Sequence, residues 1–149
     1  WIDWSLLKKN KELFEFFKFM IAYRKKHPVI RKKLDNAVCG MEGMHAHDVN
    51  ADRMEVSQNA KTLAVSFAGY DRKKCKDDLV YVAVNAYWEE VRITLPNLAN
   101  HGAWYLSVDT YGDENGKYCY EEGEEIRIDY EYVMKPRSIV VFTGRQVLR

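Results

Sequence analysis

The run from Leu79 to Val84 is apolar or aromatic at every position and rich in β-branched residues. It is too short for a buried helix, so it reads as a central strand covered on both faces. The rest of the chain must supply those covers. Just downstream, Val91, Ile93 and Leu95 alternate with Arg92 and Thr94, the period-2 pattern of a strand with one wet face. Pro96 has no N–H to give to a ladder and ends that strand. The connection Asn85–Glu90 has hairpin length and carries Tyr87 and Trp88 near its tip. Together the two strands predict a β-sandwich core and name no chemistry.

Further strands follow by the same patterning. Leu63, Val65 and Phe67 alternate with Ala64, Ser66 and Ala68, and the charged segment from Gly69 to Lys76 is a hairpin loop leading into the central strand. Asp52–Val56 is a candidate short strand in a stretch, residues 29–60, that shows no clear period. Past a turn at 97–102, Trp104, Leu106 and Val108 alternate with Tyr105, Ser107 and Asp109. A Gly-, Asp- and Glu-rich excursion from Tyr111 to Gly123 carries Tyr118 and Tyr120. Ile126 and Ile128 mark another strand, and Ser138–Phe142 closes the set, giving about seven short strands at sandwich-like spacing.

The N-terminal part differs in kind. Asn10 is a fair N-cap with Glu12 in the first turn, and the helix should run from Lys11 to about Lys26. Leu13, Phe17, Met20, Ile21 and Arg24 fall on one face, with Phe14 beside them, while Phe16 and Phe19 lie off that stripe. Arg24, Lys25, Lys26 and His27 suit the negative end of the helix, and Pro28 stops it. A helix apolar on two sides sits between two partners. Trp1 and Trp4 are expected to pack against something, since paired tryptophans are seldom left in water. The predicted fold class is therefore mainly β: an antiparallel β-sandwich preceded by one long N-terminal α-helix.

Composition enters only to exclude. A formal net charge of +1 over 149 residues carries no basic stripe, so neither nucleic acid nor an anionic membrane surface is an expected partner. No apolar run approaches the ~20 residues that cross a bilayer. Cys39, Cys75 and Cys119 are far apart and form no C-x-x-C pair, which favours free thiols in a reducing compartment over a disulfide with one thiol left over. The first residue is Trp1, so a fragment or processed product is expected.

One family accounts for these residues together. The pattern Trp1-x-Asp3-Trp4, then Asn10-x-x-Leu13-Phe14-x-Phe16-Phe17-x-x-Met20-Ile21-x-x-Arg24-Lys25-x-His27-Pro28, resembles isoamylase-type glycogen debranching enzymes of the α-amylase superfamily, glycoside hydrolase family 13. The resemblance continues through Thr62–Phe67 with Gly69, through Asp78-x-x-Tyr81-Val82-Ala83-x-Asn85-Ala86-x-Trp88-Glu89, and through Pro136–Phe142. It departs where Asp48 lacks a following tryptophan and where the 111–123 excursion runs long. The resemblance implies that residues 1–30 hold the terminal helix of a (β/α)₈ catalytic barrel and residues 31–149 a C-terminal β-sandwich of domain C type. It also implies a glycogen or starch α-1,6-debranching parent, cytoplasmic, with its own barrel as the main partner and branched α-glucan as a further one. The expected role is non-catalytic support of the barrel; the alternative is a glucan-binding module.

Retaining glycoside hydrolysis needs two carboxyls about 5–5.5 Å apart, one nucleophile and one acid/base. The resemblance places those groups on barrel strands, and no residue here matches their motifs, so no catalytic residue is assigned. Asp77-Asp78 and Glu89-Glu90 are adjacent pairs, which point to opposite faces in a strand, and read as solvated turn residues. His45 and His47 share a face without a third ligand at metal spacing and read as polar loop; His27 reads as a charge complement to the helix end. No metal or cofactor is expected. Sugar rings stack on exposed aromatic faces, which leaves Tyr87, Trp88, Tyr118 and Tyr120 as candidate substrate-binding residues. A helix cut from its barrel is expected to self-associate, with Trp1, Trp4, Phe16 and Phe19 as contacts. The chain alone is expected to hydrolyse nothing. Release of reducing ends from glycogen or pullulan by the pure protein would overturn that.

Overall fold

The computed structural model describes residue 1 and residues 3–51, 60–99 and 102–146. Its centre is a six-stranded antiparallel sheet. In chain order its strands are β1 (Met44–His47), β2 (Thr62–Asp71), β3 (Lys76–Asn85), then β5 (Ala103–Asp109), β6 (Ile126–Ile128) and β8 (Ser138–Arg145), and they lie side by side as β1-β2-β3-β8-β5-β6. The apolar run forms the body of β3, between β2 and β8, and Val80, Tyr81 and Phe142 are wholly buried. The remaining two described strands, β4 (Val91–Thr94) and β7 (Glu131–Met134), pair with each other as a second, smaller sheet. The predicted short strand at 52–56 lies outside the described residues.

Two sequence expectations change here. The Asn85–Glu90 connection is not a hairpin, because β4 leaves the large sheet and pairs with β7. It is a crossover between sheets. The strand read around Ile126 and Ile128 is also followed by a separate one, β7, whose buried Met134 belongs to the intersheet core.

The space between the sheets is filled by rings. Tyr81, Trp104, Phe142 and Tyr120 meet Ile93, Leu95 and Met134 there. Rings that large need small neighbours at native packing density, and β2 supplies them. Ala64, Ser66 and Ala68 are its buried face, whereas Leu63 is exposed. Gly144 on β8 belongs to the same fit, since a Cβ there would stand 2.8 Å from Leu79 Cβ and 3.0 Å from the Trp104 ring. The indole of Trp104 keeps its polarity satisfied by donating to the Pro96 carbonyl at 2.7 Å.

β5 serves both faces of the large sheet through a bulge. Leu106 pairs with Phe142 but Val108 pairs with Val141, so Ser107 is an extra residue. Plain alternation would put Trp104, Leu106 and Val108 on one face. The bulge moves Val108 to the opposite face, where it joins Tyr23, Val29, Val80 and Val141 in a second core. The strand is thus buried on both sides instead of half-wet.

That second core is roofed by the N-terminal helix. A single turn, α1 (Leu6–Lys9), precedes α2 (Lys11–Lys26), which ends in a 3-10 turn at Pro28–Ile30. The side that packs on the sheet carries Phe16, Phe19, Met20 and Tyr23. The expectation that Phe16 and Phe19 face a lost partner is therefore corrected. The outward stripe is Leu13, Phe14, Phe17 and Ile21, and Trp1 and Trp4 are exposed instead of packed. Asn10 occupies the cap position but its side chain makes no capping bond. The Tyr23 hydroxyl lies 2.8 Å from Thr143 Oγ1, which lies 2.7 Å from Ser107 Oγ, a buried hydroxyl chain from helix to bulge.

Two adjacent aspartates on β3 fasten the layers. Asp78 accepts from His27 Nδ1 at 2.6 Å and from the Val29 N–H at 3.0 Å, tying the end of α2 to the sheet. Asp77, facing the other way, accepts from the N–H groups of Val38 and Cys39 at 2.8 and 2.9 Å. Both are buried, so they are anchors and not the solvated turn residues expected. Nor is His27 merely a dipole complement, since its ring is buried against a carboxylate. Breaking a buried pair strands the other partner, so Asp78→Ala should cost about 3 kcal/mol. Asp78→Asn, which keeps one acceptor, should cost less. Glu131→Ala, which removes an exposed pair with Arg92, should leave the urea midpoint unchanged. An Asp78→Ala midpoint equal to wild type would show the anchor to be dispensable.

Candidate functional site

The four candidate aromatics do not converge. Tyr87 and Trp88 sit on the crossover at the far end of β3, and their ring centroids are 4.3 Å apart with planes inclined at 36°. Lys61 Nζ lies 3.7 Å from the centre of the Tyr87 ring. Trp88 remains 65% exposed, and among the described residues its aromatic ring partner is Tyr87. Tyr118 is half-buried beside Gly112 in the excursion. Tyr120 belongs to the intersheet core at 6% exposure, which leaves no ring face for a sugar. Its burial follows from a bridge that draws Cys119 against Val108 and from its own N–H bonded to the Ser107 carbonyl at 2.9 Å.

The crossover is held by Asn85, which the sequence marks as part of the turn motif but not as its anchor. Its side chain is 1% exposed, and its Nδ2 donates to the carbonyls of Glu89 at 2.9 Å and Lys135 at 3.0 Å. Its Oδ1 accepts from the Tyr87 N–H at 3.0 Å. The Arg137 N–H donates to the Tyr87 carbonyl at 2.9 Å, and the Ala86 N–H to that of Lys61. An amide that satisfies three backbone groups replaces the ladder bonds lost where the chain leaves a sheet. An asparagine ending a strand before a non-glycine turn was the available signal. Glu89 and Glu90 are exposed as expected, Glu90 paired with Lys135.

At the opposite end of β3 lies a hollow of about 420 Å³, lined by Lys26, His27, Asp71, Lys74, Asp77, Asp78 and Arg145 among others. Most of its charges have partners within the fold. Asp78 is bound by His27 and Val29, and Asp77 by Val38, Cys39 and Gln146. Lys26 pairs with Glu122 and Arg145 with Glu125. The Lys26–Glu122 contact holds the Glu122 carboxyl below its ordinary range.

His45 and His47 lie in β1, not in a loop, with ring centroids 4.8 Å apart. His45 contacts Glu42 at 3.0 Å, while His47 donates through Nδ1 to the Ala51 carbonyl and lies 2.8 Å from Ser66 Oγ through Nε2. Among the described residues no group of three or more His, Cys, Asp or Glu is placed to hold a metal ion. All three cysteines are free, and burial pushes the Cys119 thiol up to about 11 and raises that of Cys39. Cys119 is thus a poor nucleophile at neutral pH.

Comparison with known proteins agrees with this arrangement of sheets. No curated protein matches the chain closely enough to count. A family model described as "Isoamylase, C-terminal" matches residues 32–143, from just beyond the 3-10 turn into β8. That span holds both sheets, the paired aspartates of β3 and the Asn85 crossover, and the chain belongs to the isoamylase C-terminal domain family.

Proposed function

We propose that this chain supports the catalytic barrel of an α-1,6-glucan debranching hydrolase acting on glycogen or starch. Family membership gives the coarser part: this is a non-catalytic domain of an isoamylase-like enzyme. The finer part rests on the two-sided helix. Its inner side is spent on the sheet, while Trp4, Leu6, Leu7, Leu13, Phe14, Phe17 and Ile21 are each 46 to 73% exposed on the outside. Six of them line one open hollow of about 360 Å³. Contiguous apolar surface of that kind marks an interface, and a barrel that continues into α1 is the partner the family supplies. Residues 1–30 then serve both units. The three free cysteines support a reducing compartment such as the cytoplasm.

A second reading, a glucan-binding module, is favoured by the exposed Trp88 alone. It adds to the first without replacing it.

The test is a charge placed on the outer face. In the enzyme that includes its barrel, Leu13→Glu with Phe17→Glu should lower the thermal midpoint and shorten the half-life of debranching activity. Without the barrel, the wild-type chain should associate as concentration rises from micromolar to hundreds of micromolar, and the double variant should sediment as a monomer. Phe16→Glu would instead unfold the helix layer. An unaltered barrel midpoint in the double variant would sink the supporting role.

A further inference from the structure

The supporting role explains the outer helix face and leaves the Trp88 turn unexplained. An exposed tryptophan is ordinary when it sits on a loose loop. Here the loop is rigid. Asn85, buried to 1%, binds the turn on both sides, and the backbone of Tyr87 is bonded through both its N–H and its carbonyl. The order that a ligand would otherwise have to impose is already present, which is how a binding surface keeps its affinity.

The rings are arranged to leave one face free. Trp88 lies against Tyr87 at 4.3 Å, and the Lys61 ammonium stands 3.7 Å from the same tyrosine ring. Two groups that close to one ring centre occupy opposite faces of it. Tyr87 is therefore enclosed, and Trp88 keeps a flat face toward solvent. The turn beside it carries charge: Glu89 and Glu90 are exposed, and Glu90 is paired with Lys135. The outer helix hollow has almost no such rim, since apolar side chains make up most of its lining. A protein surface suits that hollow. An exposed aromatic face with carboxylates beside it suits a ligand with apolar faces and a polar edge.

A pyranose has that shape. Its axial C–H bonds make two apolar faces, and its hydroxyls lie around the rim. We infer that the Asn85–Glu90 crossover is an α-glucan contact site, with Trp88 as the platform for one glucosyl unit and Glu89 as a partner for its hydroxyls. Tyr87 and Asn85 position the platform. The choice of α-glucan as the sugar rests on the debranching reading above.

Electrophoresis of the chain through gels containing amylopectin or glycogen, with a polysaccharide-free gel as reference, tests this. Wild type should be retarded. Trp88→Ala should weaken retardation about tenfold in apparent Kd, the size expected for loss of one aromatic contact, and Trp88→Phe should retain most of it. All three should melt at the same temperature, because Trp88 lies outside both cores. Wild type that migrates unretarded, Trp88→Ala that is retarded like wild type, or Trp88→Ala that also melts early would each overturn the site. Failure of the enzyme with its barrel to debranch, while Trp88-dependent retardation persists, would overturn the debranching reading and leave the site standing.

Discussion

Everything in this domain depends on β3 carrying two carboxylates that point opposite ways. A strand covered on both faces cannot reach water with its side chains, so a charge on it is tolerated only where fully bonded. Asp78 meets that condition with His27 and the Val29 amide, and Asp77 with the Val38 and Cys39 amides. The same bonds decide where the cover layers sit. The helix cannot slide along the sheet without leaving Asp78 bare, and the 35–41 segment cannot lift without leaving Asp77 bare. Hydrophobic burial supplies the bulk of the cohesion, but it is non-directional. The aspartates are not.

Much of the fold was legible because β-patterns are local. The apolar run of β3, the alternation in β2, the Lys11–Lys26 helix and the closing strand each announce themselves within ten residues or so. What was not legible depended on partners far away in sequence. The choice of Phe16 and Phe19 as the inner side of α2 is made by the sheet below, not by the helix, which is apolar on two sides. The bulge at Ser107 is invisible as a sequence pattern, since Trp104, Leu106 and Val108 alternate faithfully through it. The crossover after Asn85 has the length of a hairpin and becomes something else only because β7 offers β4 a different neighbour.

The candidate site divides in the same way. Tyr87 and Trp88 were found by composition, because two aromatics at a turn stand out. Their rigidity was not, because it comes from the amide of Asn85 reaching a carbonyl fifty residues on, at Lys135. Tyr120 looked equivalent to Tyr118 in an alternating loop, yet one bridge between Cys119 and Val108 turns it into the core. Alternation says that neighbours differ; only the fold says which of them is inside.

The place of β8 has a consequence for how such a chain is made. It is the last described strand, and it lies between β3 and β5 in the middle of the large sheet. During vectorial synthesis the two halves of that sheet have nothing to join them until residues 138–145 leave the ribosome. The nascent domain therefore waits with β3 and β5 each offering an unpaired edge, the condition under which β-rich chains fold slowly and recruit chaperones. Early termination upstream of Ser138 would leave an open sheet, not a shortened domain. Synthesis through β8 acts as a checkpoint on the domain.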